Sequence, residues 1–191
     1  MTDLAKRRDI ELDVYQPAED TRLLARSVTR YINGTDTVLE VGTGSGFIAT
    51  HIAESTEATV IGSDINPHAC QETYAAGIQT VRTDLVRGFH NDTFSVVVFN
   101  PPYLPAVAEG SRNDWMERAI SGGNTGRQVI NRFLDTVGRV ICDAGTIFLL
   151  VSSLTGLEAI VRRAGKNGFH SVVIERESFP FEVLTVLKLV Q

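Results

Sequence analysis

The chain has 191 residues, 43% of them apolar and 21% charged, with a net charge of −5. That is enough to bury one sizeable core, so a single domain over 1–191 is expected, with residues 1–14 a short N-terminal extension. No apolar run reaches the roughly 18 residues that cross a bilayer, and the charged segment 1–11 lacks a signal-peptide core, so a cytoplasmic protein without a membrane partner is expected.

Residues 18–31 read as a leading helix. Thr37–Val41 is a β-branched run ending in glycines, and 47–54 a short helix. Residues 58–65 form a second apolar run. Asn66-Pro67 then supplies an N-cap and a first-turn proline for a helix that runs through Ala75 and stops at Gly77. Residues 78–82 make a short third strand closing at Asp84, and Phe94–Phe99 a fourth, apolar at every position but Ser95, as strands buried on both faces are. After an irregular stretch over 104–124, Val129, Ile130, Phe133, Leu134, Val137, Val140 and Ile141 recur at helical spacing. A fifth strand follows over 145–152, then a helix over Leu157–Lys166, then strands over 171–176 and Val183–Val190.

Strands alternating with helices predict an α/β fold with a doubly wound, mostly parallel sheet of seven strands. The last two strands are joined by only a short turn and must run antiparallel. The stretch 104–124 is too long for an idle connection and reads as a substrate-facing loop. Its Trp115 is either a recognition anchor or a pin that holds the loop to the core.

Glu40-Val41-Gly42-Thr43-Gly44-Ser45-Gly46 follows the first strand and opens a helix. Gly42 and Gly44 allow a ligand close to the backbone. The spacing differs from the dinucleotide fingerprint, because Phe47 stands where its third glycine would fall. Asp64 ends the second strand, where a short carboxylate can accept both hydroxyls of a ribose. Asp84 and the backbone N–H of Leu85, past the third strand, can read an adenine edge. Glu40 would attract a cationic group and repel a pyrophosphate.

Asn100-Pro101-Pro102-Tyr103 ends the fourth strand. An amide or aromatic amino nitrogen is planar and a poor nucleophile, because its lone pair is shared. Two acceptors aimed at its N–H bonds draw it toward a tetrahedral arrangement and stabilise the charge that develops as it attacks a methyl group. The Asn100 side-chain oxygen and the Pro101 carbonyl can be those acceptors. The Pro-Pro step is stiff and holds its carbonyls outward, and Tyr103 offers a flat face to stack on the planar group.

With these residues assembled, the chain resembles the class I S-adenosylmethionine methyltransferases with an Asn-Pro-Pro-Tyr motif. Within them it most resembles the HemK-like glutamine methyltransferases of translation termination factors, in their compact archaeal and eukaryotic form. The likeness includes Val14-Tyr15-Gln16-Pro17-Ala18-Glu19-Asp20-Thr21, Asp64-Ile65-Asn66, Asp84-Leu85, Trp115, Gly122-Gly123 and Gly126-Arg127, besides the two motifs above. It implies that Thr21, Glu40, Gly42, Gly44, Asp64, Asp84, Leu85 and Asn100 touch S-adenosylmethionine, whose product is S-adenosylhomocysteine. It also implies that Asn100, Pro101, Pro102 and Tyr103 bind the glutamine of a Gly-Gly-Gln tripeptide in a peptide-chain release factor. Bacterial relatives carry a helical N-terminal substrate domain, whereas little precedes Tyr15 here. The compact relatives work with a small zinc-binding activator at the sheet edge, which here falls at 77–83; an ordinary protected edge strand is the other reading of that segment.

Cys70, Cys142 and the four histidines lack metal-ligand spacing, so no metal site is expected. Two rival readings are a nucleic-acid amino-methyltransferase acting on adenine N6 or guanine N2, and a non-catalytic scaffold that keeps the fold. Lysine methylation is a further side activity to consider. Scattered basic residues on an acidic chain count against the nucleic-acid reading. Intact Glu40, Asp64, Asp84 and Asn100 count against the scaffold.

Overall fold

The computed structural model describes residues 14–104 and 115–191. Residues 1–13, with the cluster Lys6-Arg7-Arg8, and residues 105–114 of the expected substrate-facing loop lie outside the described residues. In chain order the elements are α1 (Glu19–Thr29), β1 (Thr37–Val41), α2 (Phe47–Ser55), β2 (Thr59–Asp64), α3 (Pro67–Ala75), β3 (Gln79–Arg82) and β4 (Phe94–Phe99). They continue with α4 (Trp115–Ile120), α5 (Gln128–Val137), β5 (Ile141–Ser152), α6 (Leu157–Lys166), β6 (His170–Ser178) and β7 (Val183–Val190).

The strands form one seven-stranded sheet in the order β3-β2-β1-β4-β5-β7-β6. All neighbours run parallel except around β7, which is antiparallel to both β5 and β6. The order reverses between β1 and β4, and the crevice beyond the carboxyl ends of strands at such a switch point is where ligands bind in this architecture. Register brings those ends together, with Val41 opposite Ser63 and Phe99, and Asp64 opposite Arg82.

The apolar run of β4 divides by strand alternation. Val97 and Phe99 join one core with Leu39, Leu149 and the α5 residues Ile130, Phe133 and Leu134. Val96 and Val98 join the other with Leu23 and Leu24 of α1 and Ile48 and Ile52 of α2. The Phe99 and Phe133 rings meet at 4.6 Å, so the helix after the loop is locked to the strand that carries the Asn-Pro-Pro-Tyr motif. At the start of α3, Asn66 caps by accepting a hydrogen bond from the backbone N–H of His68 at 2.9 Å.

Three expectations need correction. The helical spacing that continued through Val140 and Ile141 stops at Val137, and Ile141 already belongs to β5. The backbone is captured by the neighbouring strand: the Val140 carbonyl accepts from Thr93 and Phe94 at 2.9 and 3.0 Å, and Ile141 pairs with Phe94. The break that looked like a strand start at Gly145 is an irregularity inside β5, where Ala144 takes φ 60° and the register with β4 shifts. The stretch 104–124 is also less irregular than expected. It contains α4, and Leu104 pairs with Ser121 through bonds from Leu104 N–H to Ile120 and from Gly122 N–H to Leu104, at 2.9 and 2.8 Å.

Candidate active site

The glycine loop leaves β1 with Gly42, Gly44 and Gly46 all at positive φ. At Gly46 a side chain is excluded twice over: φ is 79°, and a Cβ would lie 2.9 Å from the Thr73 hydroxyl of α3. The loop is braced from β2. Thr43 N–H donates to the Ser63 carbonyl at 2.9 Å, and Gly44 N–H to Asp64 Oδ2 at 3.0 Å. Asp64 Oδ1 accepts from Asn66 N–H at 2.8 Å. The carboxylate expected to meet a ribose therefore also fixes the loop's shape, and each oxygen keeps lone-pair capacity for a ligand. Burial pushes its pKa up, against these backbone bonds.

Glu40 is buried, at 2% exposure. Its Oε2 accepts from the Thr43 hydroxyl at 2.6 Å and from Ala49 N–H, at the start of α2, at 3.0 Å. Burial pushes its pKa up to about 8; the two hydrogen bonds oppose that rise and Asp64 adds to it. The pocket thus contains a carboxyl group that would gain from a cation.

Asp84 is more committed than its position at a strand end suggested. Arg132 of α5 donates to it, and Arg87 lies within 3.4 Å. Leu85 follows at φ 53°, a conformation that costs a branched residue and clusters at ligand sites.

At the tip of β4, the Asn100 side-chain N–H₂ donates to Asp20 Oδ2 at 3.1 Å and to the Thr21 hydroxyl at 3.4 Å. The other end of that amide, Oδ1, is buried and has no hydrogen-bond partner among the described residues. A buried acceptor without a partner is costly and rare, and it marks where a donor belongs. Tyr103 is half-buried, and its hydroxyl donates to Glu182 at 3.4 Å. Burial first, then Asp20 and Glu182, push its pKa up, so the phenol stays protonated. Glu182 is held in turn by the Ser152 hydroxyl at 2.5 Å. The exit of the motif is clamped by Gly126, where a Cβ would stand 2.4 Å from the Tyr103 carbonyl.

Thr21, Glu40, Gly42, Gly44, Asp64, Asp84, Leu85 and the four residues Asn100, Pro101, Pro102 and Tyr103 all line one cavity of about 690 Å³. That volume suits a small-molecule ligand. Trp115 lines it too, at the start of α4. Sequence reasoning missed Asp20, Tyr15, Arg132, Gly126 and Glu182 as members of the site. Asp20 stood inside the Pro-Ala-Glu-Asp-Thr segment, but its contact with Asn100 spans 80 residues and has no local signal. Among the described residues no cluster of three metal-ligating side chains occurs, and no helix is long and apolar enough to cross a membrane.

Sheet order, glycine loop and strand-tip amide together define a methyltransferase. Residues 17–180 match the family model described as Methyltransferase small domain, and the chain belongs to that family. It is 33% identical over 183 residues to a candidate protein N5-glutamine methyltransferase of Methanocaldococcus jannaschii, covering 92% of this chain and 90% of the relative. It is 32% identical over 190 residues to the Homo sapiens methyltransferase HEMK2, covering 92% and 89%. Among solved structures, the E. cuniculi Mtq2–Trm112 complex, which methylates the eRF1 translation termination factor, superposes with a TM-score of 0.79 at 28% identity. That match covers 94% of this chain and 99% of the other.

Proposed function

We propose that this chain transfers a methyl group from S-adenosylmethionine to the side-chain amide nitrogen N5 of the glutamine in the Gly-Gly-Gln tripeptide of a peptide-chain release factor. The observation that carries the reading is the buried, unpartnered Oδ1 of Asn100, a residue that lines the cavity the glycine loop shapes. Among neutral planar groups, a primary amide presents two N–H bonds to a pair of acceptors. Asn100 Oδ1 takes one, and the Pro101 carbonyl takes the other. The nitrogen, so held, regains its lone pair and forms the C–N bond. The C–S bond breaks with its electron pair left on sulfur, and the proton leaves the nitrogen for water. Tyr103, kept protonated and anchored on Glu182, stacks on the amide plane.

The cavity fits this cofactor. Asp64 has acceptor capacity for ribose hydroxyls, Leu85 N–H and Asp84 stand where an adenine edge would lie, and Thr21 and Asn100 close the methyl end. Glu40 gains from a cationic amino acid moiety. S-adenosylmethionine supplies an electrophilic methyl on a sulfonium. Pairing of Arg26, Arg30, Arg132 and Arg163 with Glu177, Glu175, Asp84 and Asp135 removes cations a phosphate backbone would use, which favours a protein substrate.

The chain works as a single cytoplasmic domain with a small zinc-binding activator along β3. That edge strand is short, with Val81 exposed on it at 37% and Tyr74 and Ile65 exposed beside it at 72% and 45%. An unpaired edge with apolar neighbours suits strand addition, and the Mtq2–Trm112 complex is a relative that has such a partner. The test is to incubate the chain, alone and with a Trm112-type protein, with isotopically labelled S-adenosylmethionine and release factor, DNA or RNA. Methylated glutamine in the Gly-Gly-Gln peptide by mass spectrometry is the expected result. Label confined to nucleic acid would overturn the reading.

A further inference from the structure

We infer that Asp20 is a positioning residue that fixes which end of the Asn100 amide faces the substrate. This deepens the reading above and rests on it. The two ends of an asparagine amide are nearly the same shape, and a half-turn about the last side-chain bond exchanges them. Only one orientation is useful: Oδ1 must point into the cavity, because an N–H₂ there would meet the substrate's own N–H bonds. Packing cannot choose between ends of equal size, so a neighbour must.

Asp20 is that neighbour. It comes from the first turn of α1, is only 4% exposed, and receives the Asn100 N–H₂ on Oδ2 at 3.1 Å. A carboxylate only accepts. A flipped Asn100 would set oxygen against oxygen at that distance, so the flip is disfavoured and Oδ1 is the end left without a hydrogen-bond partner among the described residues, on a residue that lines the cavity. The Thr21 hydroxyl, the second partner at 3.4 Å, can donate or accept and so cannot enforce the choice alone.

Asp20 is itself held from both sides. Its Oδ1 accepts from Thr21 N–H at 2.7 Å, and the Tyr15 hydroxyl lies 3.1 Å from each oxygen. Tyr15 stays protonated, its pKa raised by burial and then by Asp20, so it can only donate to this carboxylate. A carboxylate in the first turn also suits the helix dipole, but Glu19 provides that as well. The dipole does not account for burying Asp20.

The chemistry predicts a specific inversion. In Asp20→Asn the new amide must still accept from Thr21 N–H and Tyr15, so it turns its own N–H₂ toward Asn100. Asn100 then flips, and its N–H₂ faces the cavity. The expected result is a fall in kcat of about 100-fold or more, the scale for loss of a preorganised transition-state partner. KM for the cofactor and calorimetric affinity for S-adenosylhomocysteine should stay within about threefold. Asp20→Glu, which keeps an acceptor-only group, should recover part of the rate. Asn100→Asp alone places two carboxylates face to face and should be as poor. The exchanged pair, Asp20→Asn with Asn100→Asp, restores a donor–acceptor contact and an oxygen toward the cavity, and should exceed Asp20→Asn by about tenfold. Asp20→Asn within about threefold of wild type, or an exchanged pair no better than it, overturns the inference.

A second measurement needs no turnover and no variant that must fold. In ¹⁵N-labelled wild-type protein, the Asn100 side-chain N–H₂ protons should exchange slowly with solvent, because they face Asp20 and Thr21. Fast exchange overturns the inference. If wild type methylates no glutamine at all, the proposed function fails, while the exchange result still decides the role of Asp20.

Discussion

Glu40 offers a test that reads the ligand site through protons. Burial favours its neutral form, so the unliganded protein holds a proton there up to about pH 8. The carboxyl's contribution to fold stability is therefore complete below its ordinary pKa of 4.5 and is lost as pH climbs through about 8. A bound cation reverses the preference and expels the proton. With a pKa of about 8, Glu40 is about 0.9 protonated at pH 7 and about 0.1 at pH 9. Calorimetric titration with S-adenosylmethionine in buffers of different ionisation enthalpy measures the protons released. The same titration on Glu40→Gln removes the ligand amine's own contribution. Wild type minus variant should be near 0.9 proton at pH 7 and near 0.1 at pH 9, and the variant should bind roughly 10–100-fold more weakly. Equal proton release in the two proteins, or the same difference at both pH values, would refute the assignment of Glu40 to a cationic moiety.

Removing the acceptor itself is more drastic. Asn100→Ala should melt within a few degrees of wild type yet lose at least about 100-fold in kcat; unchanged turnover would remove the mechanism. Gly126→Ala drives a Cβ to 2.4 Å from the Tyr103 carbonyl at φ 68°, and should cost about 2–4 kcal/mol in denaturant unfolding along with most of the activity. Phe133→Ala should cost about 3–5 kcal/mol, because the ring is fully buried against Phe99. Val81→Asp on the edge strand should abolish co-purification of the activator while leaving S-adenosylhomocysteine binding intact in calorimetry. Retained co-purification would place the partner elsewhere.

The parallel half of the sheet was legible because its signals are local. β4 is apolar at nearly every position, and Asn66-Pro67 marks a helix start with two residues. The α5–β5 boundary was hidden because Val137, Val140 and Ile141 keep the helix period after the backbone has left the helix. The choice was made by hydrogen bonds from Thr93 and Phe94, more than 40 residues upstream. α4 went unseen for lack of a clear apolar face in so short a segment. At the site, the residues at strand ends were readable, since parallel strands bring their carboxyl ends together. What each carboxylate bonds to was not. Asp64 bracing Gly44 and Arg132 reaching Asp84 depend on contacts that no spacing rule encodes.

Among the described residues β6 pairs only with β7, and β7 lies between it and β5. β6 therefore joins the sheet only after β7 has docked on β5. Glu182 sits on the β6–β7 hairpin and anchors Tyr103, and Arg26 and Arg30 of α1 reach across to Glu177 and Glu175 on β6. A nascent chain that has made β1 to β5 thus owns every residue proposed to face the cofactor but lacks the buttress behind Tyr103 and the ion pairs that steady the helix bearing Asp20. Catalytic competence would arrive with the late hairpin, separating the moment a cofactor can enter from the moment a substrate can be modified.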